Sequence, residues 1–221
     1  MGILNVKNVS YAYSGANKNV LSDINIDFVK SKIYSIIGKS GAGKTTLLSL
    51  ISGLDICNKG EILYNGKNLN NIDRDEYRAK SIGVIFQGYN LLNNYTAVEN
   101  IILSMEISNV EVKDKREYAY NLLNKVGIDK ETASRKVLTL SGGEQQRIAI
   151  ARALSHNPEI IIADEPTGNL DSETEADILD ILKNLAHNEG KSVIIVTHSN
   201  KVAILADEVW GLKKGDLLFI R

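Results

Sequence analysis

The chain has 221 residues, with 26 basic and 27 acidic side chains and a net charge of −1. That length suits one large domain, or a core with an inserted lobe, and it can bury a substantial apolar interior. No basic tract points to nucleic acid as a partner, and the one cysteine, Cys57, excludes an intrachain disulfide and argues against a thiolate zinc site.

Residues 4–10 and 20–28 read as short strands, with Ile24, Ile26 and Phe28 alternating with polar neighbours. Lys32 to Ile37 reads as a buried strand, and Thr46 to Ile51 as the start of a packed helix. Between them lies Gly38-Lys39-Ser40-Gly41-Ala42-Gly43-Lys44-Thr45. Glycines in a strand-to-helix turn let the backbone fold back without a clashing Cβ, so that N–H groups point inward at an anion. The helix N-terminus adds partial positive charge. Lys44 is placed to reach the β- and γ-phosphates of a nucleoside triphosphate, and Thr45 to offer its hydroxyl to Mg²⁺.

Residues 60–64 read as another strand, closed by the turn dipeptide Asn65-Gly66. Ser81 to Gln87 is a further strand ending in a polar residue, and residues 88–158 carry helical patterning, taken as a helical lobe. Within that lobe, Leu140-Ser141-Gly142-Gly143-Glu144-Gln145-Gln146-Arg147 places a glycine pair at a helix start. A serine hydroxyl and free glycine N–H groups there make an anion site.

Glu159 to Glu165 is an apolar strand tipped by two carboxylates, Asp164 and Glu165. One can hold Mg²⁺ and the other can orient and deprotonate water. Ser172 with Glu175 has the spacing of a capping box for a helix that buries Ile178, Ile181, Leu182 and Leu185 and stops near Gly190. Ser192 to Thr197 is one more apolar strand, ending at His198. His156 and His187 lie at polar helix ends and read as solvated. Strands alternating with helices imply a parallel sheet whose ligands bind beyond the carboxyl ends of the strands. Gly38, Gln87, Asp164, Glu165 and His198 all fall at such ends, so separate segments are expected to converge on one phosphate site.

Met1-Gly2-Ile3-Leu4-Asn5 lacks the basic and apolar regions of a secretory signal, and a free thiol fits a reducing cytoplasm. The longest apolar runs, such as Ile160–Ala163 and Val193–Val196, are too short to span a membrane. If the protein works at a membrane, another polypeptide supplies the channel.

The phosphate loop and the glycine-pair segment together resemble the ATPase subunit of ATP-binding cassette (ABC) transporters, and the likeness runs along nearly the whole chain. It implies an α/β P-loop NTPase: a parallel-sheet catalytic core with an N-terminal antiparallel β subdomain (residues 1–87 and 159–221) and an inserted helical lobe (residues 88–158). By resemblance, Tyr13, with Tyr11 as the alternative, stacks on adenine. Gly38, Ser40, Gly41, Gly43, Lys44, Thr45 and Thr46 hold the phosphates. Gln87 is the Q-loop glutamine at Mg²⁺ and the attacking water, and Asp164 and Glu165 are the Walker B pair. Ser141, Gly142 and Gly143 are the signature motif, which contacts the γ-phosphate on the opposite subunit. Gly168-Asn169-Leu170-Asp171 is the D-loop, with Asp171 counted among the nucleotide-binding residues, and His198 is the switch histidine.

Phe86–Leu92, Thr96–Asn100 and Ala163–Asp171 further resemble the macrolide-export and lipoprotein-release branch. Tyr89 departs from the commoner phenylalanine, and Asn93 from the commoner proline. The resemblance implies two ATP molecules between two copies arranged head to tail, and a separate membrane permease with an adaptor. It implies a place on the cytoplasmic face of a bacterial-type membrane and outward movement of a hydrophobic compound, peptide or lipoprotein. An importer ATPase and a cell-division signalling ATPase share every catalytic motif and remain alternatives; ribosome-acting or DNA-repair relatives need two cassettes or a long coiled coil.

Overall fold

The computed structural model describes residues 2–16, 18–168 and 170–221. In chain order the elements are β1 (Leu4–Tyr11), β2 (Leu21–Phe28), β3 (Lys32–Ile37), α1 (Lys44–Ile51), β4 (Lys59–Tyr64), β5 (Lys67–Asn68), α2 (Arg74–Lys80) and β6 (Ile82–Ile85). Then come α3 (Ala97–Ile107), α4 (Lys115–Lys125), α5 (Lys130–Ala133), α6 (Gly142–Ala153), β7 (Ile160–Asp164), α7 (Ser172–His187), β8 (Ser192–Thr197), α8 (Asn200–Leu205), β9 (Glu208–Lys213) and β10 (Asp216–Phe219).

Two sheets form. A four-stranded antiparallel sheet runs β2-β1-β4-β5, and a six-stranded sheet runs β10-β9-β3-β8-β7-β6. In the larger sheet every neighbouring pair is parallel except β9 with the edge strand β10. The parallel core expected from the sequence is therefore closed on one edge by a hairpin, β9–β10, beyond the last strand the sequence reading identified. β8 is buried along its whole length and β7 along all but its last residue, which is why both read as unbroken apolar runs rather than as alternation.

One face of this sheet meets α3, α4, α6 and α7 through Ile33, Ile85, Ile101, Ile148, Ile161, Leu182, Val193 and Ile195. The other face meets α1 and the antiparallel sheet through Phe28, Tyr34, Leu47, Leu50, Ile162 and Val196. Each such large apolar side chain removed from water contributes about 1.5–3 kcal/mol before conformational entropy is counted. On α7, Ile178, Leu179, Leu182 and Leu185 are buried while Ile181 is only partly so.

Asn65-Gly66 is the predicted turn, with φ of 47° and 78° at its two residues. Two expectations are corrected. The cap of α7 is Asp171, whose carboxylate accepts from the N–H groups of Glu173 and Thr174; Ser172 is the first helical residue. Aspartate competes well for that place because its oxygens reach the N2 and N3 donors. Glu175, freed from the cap, takes a hydrogen bond from Lys201 at 2.9 Å. His156 and His187 are not simply solvated. His156 Nε2 lies 2.9 Å from the Ile82 carbonyl oxygen, and burial pushes its pKa down. His187 Nε2 lies 2.9 Å from Asp207 Oδ2.

Candidate functional site

Sheet register brings the predicted residues to one edge. Ile37 pairs with Thr197, Asp164 with Val196, and Ile85 with Ala163. The segments carrying Gly38, His198, Glu165 and Gln87 thus leave the sheet close to a common line. They enclose a cleft of about 820 Å³ lined by Tyr13, Val20, Lys39, Ser40, Gly41, Gly43, Lys44, Thr45, Thr46, Gln87, Asp164, Glu165 and His198. Gln87 stands two residues beyond the end of β6 rather than on it, and still reaches the cleft.

The phosphate loop has the backbone its glycines allow. Gly41 and Gly43 have φ of 77° and 105°. A Cβ on Gly41 would meet nothing within 4 Å, so the loop's inner wall is open. On Gly43 it would lie 2.9 Å from Leu21 Cδ2 and 3.1 Å from the Val20 carbonyl oxygen. Gly38 lines the back of the loop rather than the cleft, where a Cβ would lie 2.5 Å from the Leu212 carbonyl oxygen. Lys44 Nζ donates to the carbonyls of Gly38 at 2.9 Å and Lys39 at 3.3 Å. An ammonium held only by neutral carbonyls is poised for an anion in front of it.

The carboxylates differ in setting. Burial raises the pKa of Asp164, the Glu165 charge raises it further, and the Thr45 hydroxyl and Lys44 pull the other way. Thr45 Oγ1 is 3.5 Å from Asp164 Oδ2, too long for a full hydrogen bond and suited to two ligands of one small cation. The Thr45 hydroxyl, the Asp164 carboxylate and the Gln87 amide are hard oxygen donors of the kind Mg²⁺ takes. Among the described residues no cluster of three or more His, Cys, Asp or Glu could hold a metal alone.

Glu165 has φ of 47°, uncommon for a residue with a side chain, and its N–H donates to the Val196 carbonyl at 2.8 Å. Its carboxylate accepts from Thr197 Oγ1 at 3.0 Å, from the His198 N–H at 3.3 Å, and from His198 Nδ1 at 2.7 Å. The imidazole is exposed and lines the cleft. Thr197 was not singled out from the sequence; its place between the apolar strand and His198 is the signal that identifies it.

Tyr13 is half exposed on the cleft wall, and its hydroxyl lies 2.9 Å from Thr46 Oγ1. Tyr11 is buried, hydrogen-bonded to Asp55, with its ring edge against Tyr13 at 5.2 Å between centroids. Of the two tyrosines, Tyr13 is the one that lines the cleft.

Ser141, Gly142 and Gly143 do not line this cleft. Ser141 caps α6 in a reciprocal box with Glu144, its N–H donating to Glu144 Oε2 at 2.7 Å. Ser141 and Gly142 are exposed. Asp171 is likewise outside the cleft, as the cap of α7, and Asn169 lies outside the described residues. Within one copy the cleft around Lys44 and the start of α6 at Ser141 are thus separate.

Residues 21–168 match the family described as ABC transporter. The chain is 45% identical over 215 residues to an uncharacterized ABC transporter ATP-binding protein, YclH, of Bacillus subtilis, covering 97% of this chain and 95% of that one. It is 40% identical over 221 residues to the lipoprotein-releasing system ATP-binding protein LolD of Francisella tularensis, at 97% and 95% coverage. Among solved structures it resembles the dimeric post-hydrolysis ATP-binding cassette MJ0796 bound to ADP and Pi, with a TM-score of 0.89, 35% identity and 99% of each chain covered.

Proposed function

The chain belongs to the ABC transporter family and is an ATP-binding, ATP-hydrolysing subunit; from that premise we propose that two copies close head to tail around two ATP molecules and drive a separate membrane permease. The observation that carries this is the separation, within one copy, of the cleft around Lys44 from the exposed helix start at Ser141. A second copy supplies what the first cleft lacks. The dimeric state of MJ0796 supports the reading. Among the described residues no helix is long and apolar enough to cross a membrane; in this proposal the permease is a separate polypeptide. The proposed task is outward movement of a hydrophobic compound, peptide or lipoprotein, from the cytoplasmic face of the membrane and with an adaptor protein; the likeness to LolD, of a lipoprotein-releasing system, supports the lipoprotein reading.

In the proposed mechanism Tyr13 stacks on the adenine, and Ser40, Gly41, Gly43, Lys44, Thr45 and Thr46 surround the phosphates, with Gly38 holding the loop's back wall. Lys44 turns from its carbonyl partners to the β- and γ-phosphates. Mg²⁺ at Thr45, Asp164 and Gln87 would supply charge neutralisation at the phosphates. Glu165, aimed by Thr197 and His198, accepts the proton of the attacking water. The His198 ring and the partner copy's signature segment face the γ-phosphate. Asp171 acts through its helix cap, and residues 88–158 form the lobe that carries the signature segment.

Glu165→Gln keeps the shape of the side chain and removes the base. Hydrolysis should nearly stop, ATP should stay trapped, and the subunit should run as a dimer with ATP and Mg²⁺ in size-exclusion chromatography. Adding Ser141→Arg should return it to monomer. An ATP dimer indifferent to Ser141→Arg refutes the head-to-tail arrangement. Capture of the native membrane partner, followed by its sequencing, tests the permease and its class.

A further inference from the structure

The loop that follows Gln87 is fastened to α6 along its length. Tyr89 and Asn90 are consecutive left-handed residues, with φ of 60° and 52°. For a bulky aromatic such a backbone is held by its surroundings rather than chosen locally. Arg152, on the last turn of α6, donates to the carbonyl oxygens of both, at 3.0 Å for Tyr89. Burial lowers the pKa of this guanidinium, and its two partners here are carbonyls that only this strained loop presents. At the other end of α6, a Cβ placed on Gly142 would lie 3.0 Å from the Tyr89 hydroxyl oxygen and 4.0 Å from its ring carbon Cζ. The tip of Tyr89 therefore rests on the first helical residue of the signature segment. Gly143 is closed from the other side, where a Cβ would lie 2.7 Å from Thr174 Cγ2, on the first turn of α7.

We propose that Tyr89 is a positioning residue that couples Gln87 in a copy's own cleft to the Ser141–Gly143 contact which that copy makes on its partner's nucleotide. The inference rests on the head-to-tail reading. Under it, Gln87 and Ser141–Gly143 of one chain serve two different ATP molecules, and Tyr89, two residues after Gln87 in the chain, is the side chain of this loop that reaches Gly142. The hydroxyl, absent from the phenylalanine common at this position, is the atom that makes the contact.

The test is a double-substitution cycle in the Glu165→Gln background, reading the ATP concentration that half-saturates dimer formation in the presence of Mg²⁺. Tyr89→Phe, which removes the atom packed on Gly142, should raise it about fivefold, within the range of coupling between touching residues. Gly142→Ala, which pushes a methyl against the hydroxyl, should raise it about tenfold or more. The double variant should be no worse than Gly142→Ala alone, because removing the hydroxyl clears the space. Binding of a fluorescent ATP analogue to the monomer, below the dimerisation concentration, should not change with Tyr89→Phe, nor should the melting temperature. A merely structural role would move those two readouts instead. A Tyr89→Phe protein that dimerises like its parent, or losses that multiply in the double variant, would overturn the coupling while leaving the head-to-tail reading intact. If the Glu165→Gln parent forms no ATP dimer, the head-to-tail reading falls and the coupling falls with it.

Discussion

Asp164→Asn should stabilise the nucleotide-free protein while disabling it. Asp164 ends β7 beside Glu165, in a position where burial and the neighbouring carboxylate both oppose its charge. The compensating groups are weak. Thr45 Oγ1 stands 3.5 Å away, and the Lys44 ammonium is engaged with the carbonyls of Gly38 and Lys39. Asparagine keeps the shape and removes the charge. Relief of such a site commonly yields about 0.5–2 kcal/mol, and in a domain of this size each ~1 kcal/mol moves the melting temperature by about 2–4 °C. The pH dependence has a definite sign. A carboxyl whose folded pKa is raised above its ordinary 3.8 favours the folded state when protonated, and that contribution is lost as pH rises through the raised value. The Asn advantage should therefore be largest at neutral pH and shrink as pH falls toward the ordinary carboxylate value. Urea melts of both proteins between about pH 4 and 7.5, without nucleotide or Mg²⁺, measure it. Phosphate release with ATP and Mg²⁺ should fall about 100-fold or more, since the ion loses its carboxylate. A variant less stable than the parent at neutral pH, or an advantage that does not shrink in acid, refutes the electrostatic reasoning.

Lys44→Ala should abolish hydrolysis by removing the cation at the phosphates; near-normal phosphate release by the folded variant would defeat the phosphate-loop assignment. Thr197→Val removes the hydroxyl that donates to Glu165 at 3.0 Å and accepts from the Ser199 N–H at 2.9 Å. Steady-state kinetics should then show kcat lowered about tenfold with KM for ATP little changed, the cost of one hydrogen bond to a charged group. A change confined to KM would show that Thr197 serves binding rather than the aim of Glu165.

The local devices are legible along the chain. Gly41 and Gly43 announce positive φ between a strand and a helix because few other residues adopt it. The apolar runs at 160–163 and 193–196 announce central strands because both faces of a parallel sheet are covered. Chain order of these motifs sufficed to suggest the family. Tertiary structure decided what no local pattern encodes. The pairing of Ile37 with Thr197 and of Ile85 with Ala163 set which strand ends face one cleft. Burial of Tyr11 against Asp55 left Tyr13 as the ring at the cleft wall. Asp171 displaced Ser172 as the cap of α7, although the spacing of Ser172 and Glu175 looked sufficient, because its carboxylate reaches the N–H groups of Glu173 and Thr174; Glu175 instead pairs with Lys201 across the fold. Tyr89, a small departure in sequence, reaches Gly142 only once α6 is packed beside the loop. Conformational preference acts within a few residues and can be read along the chain; contacts between segments distant in sequence depend on the packing of many side chains at once, and exist only when the chain is folded.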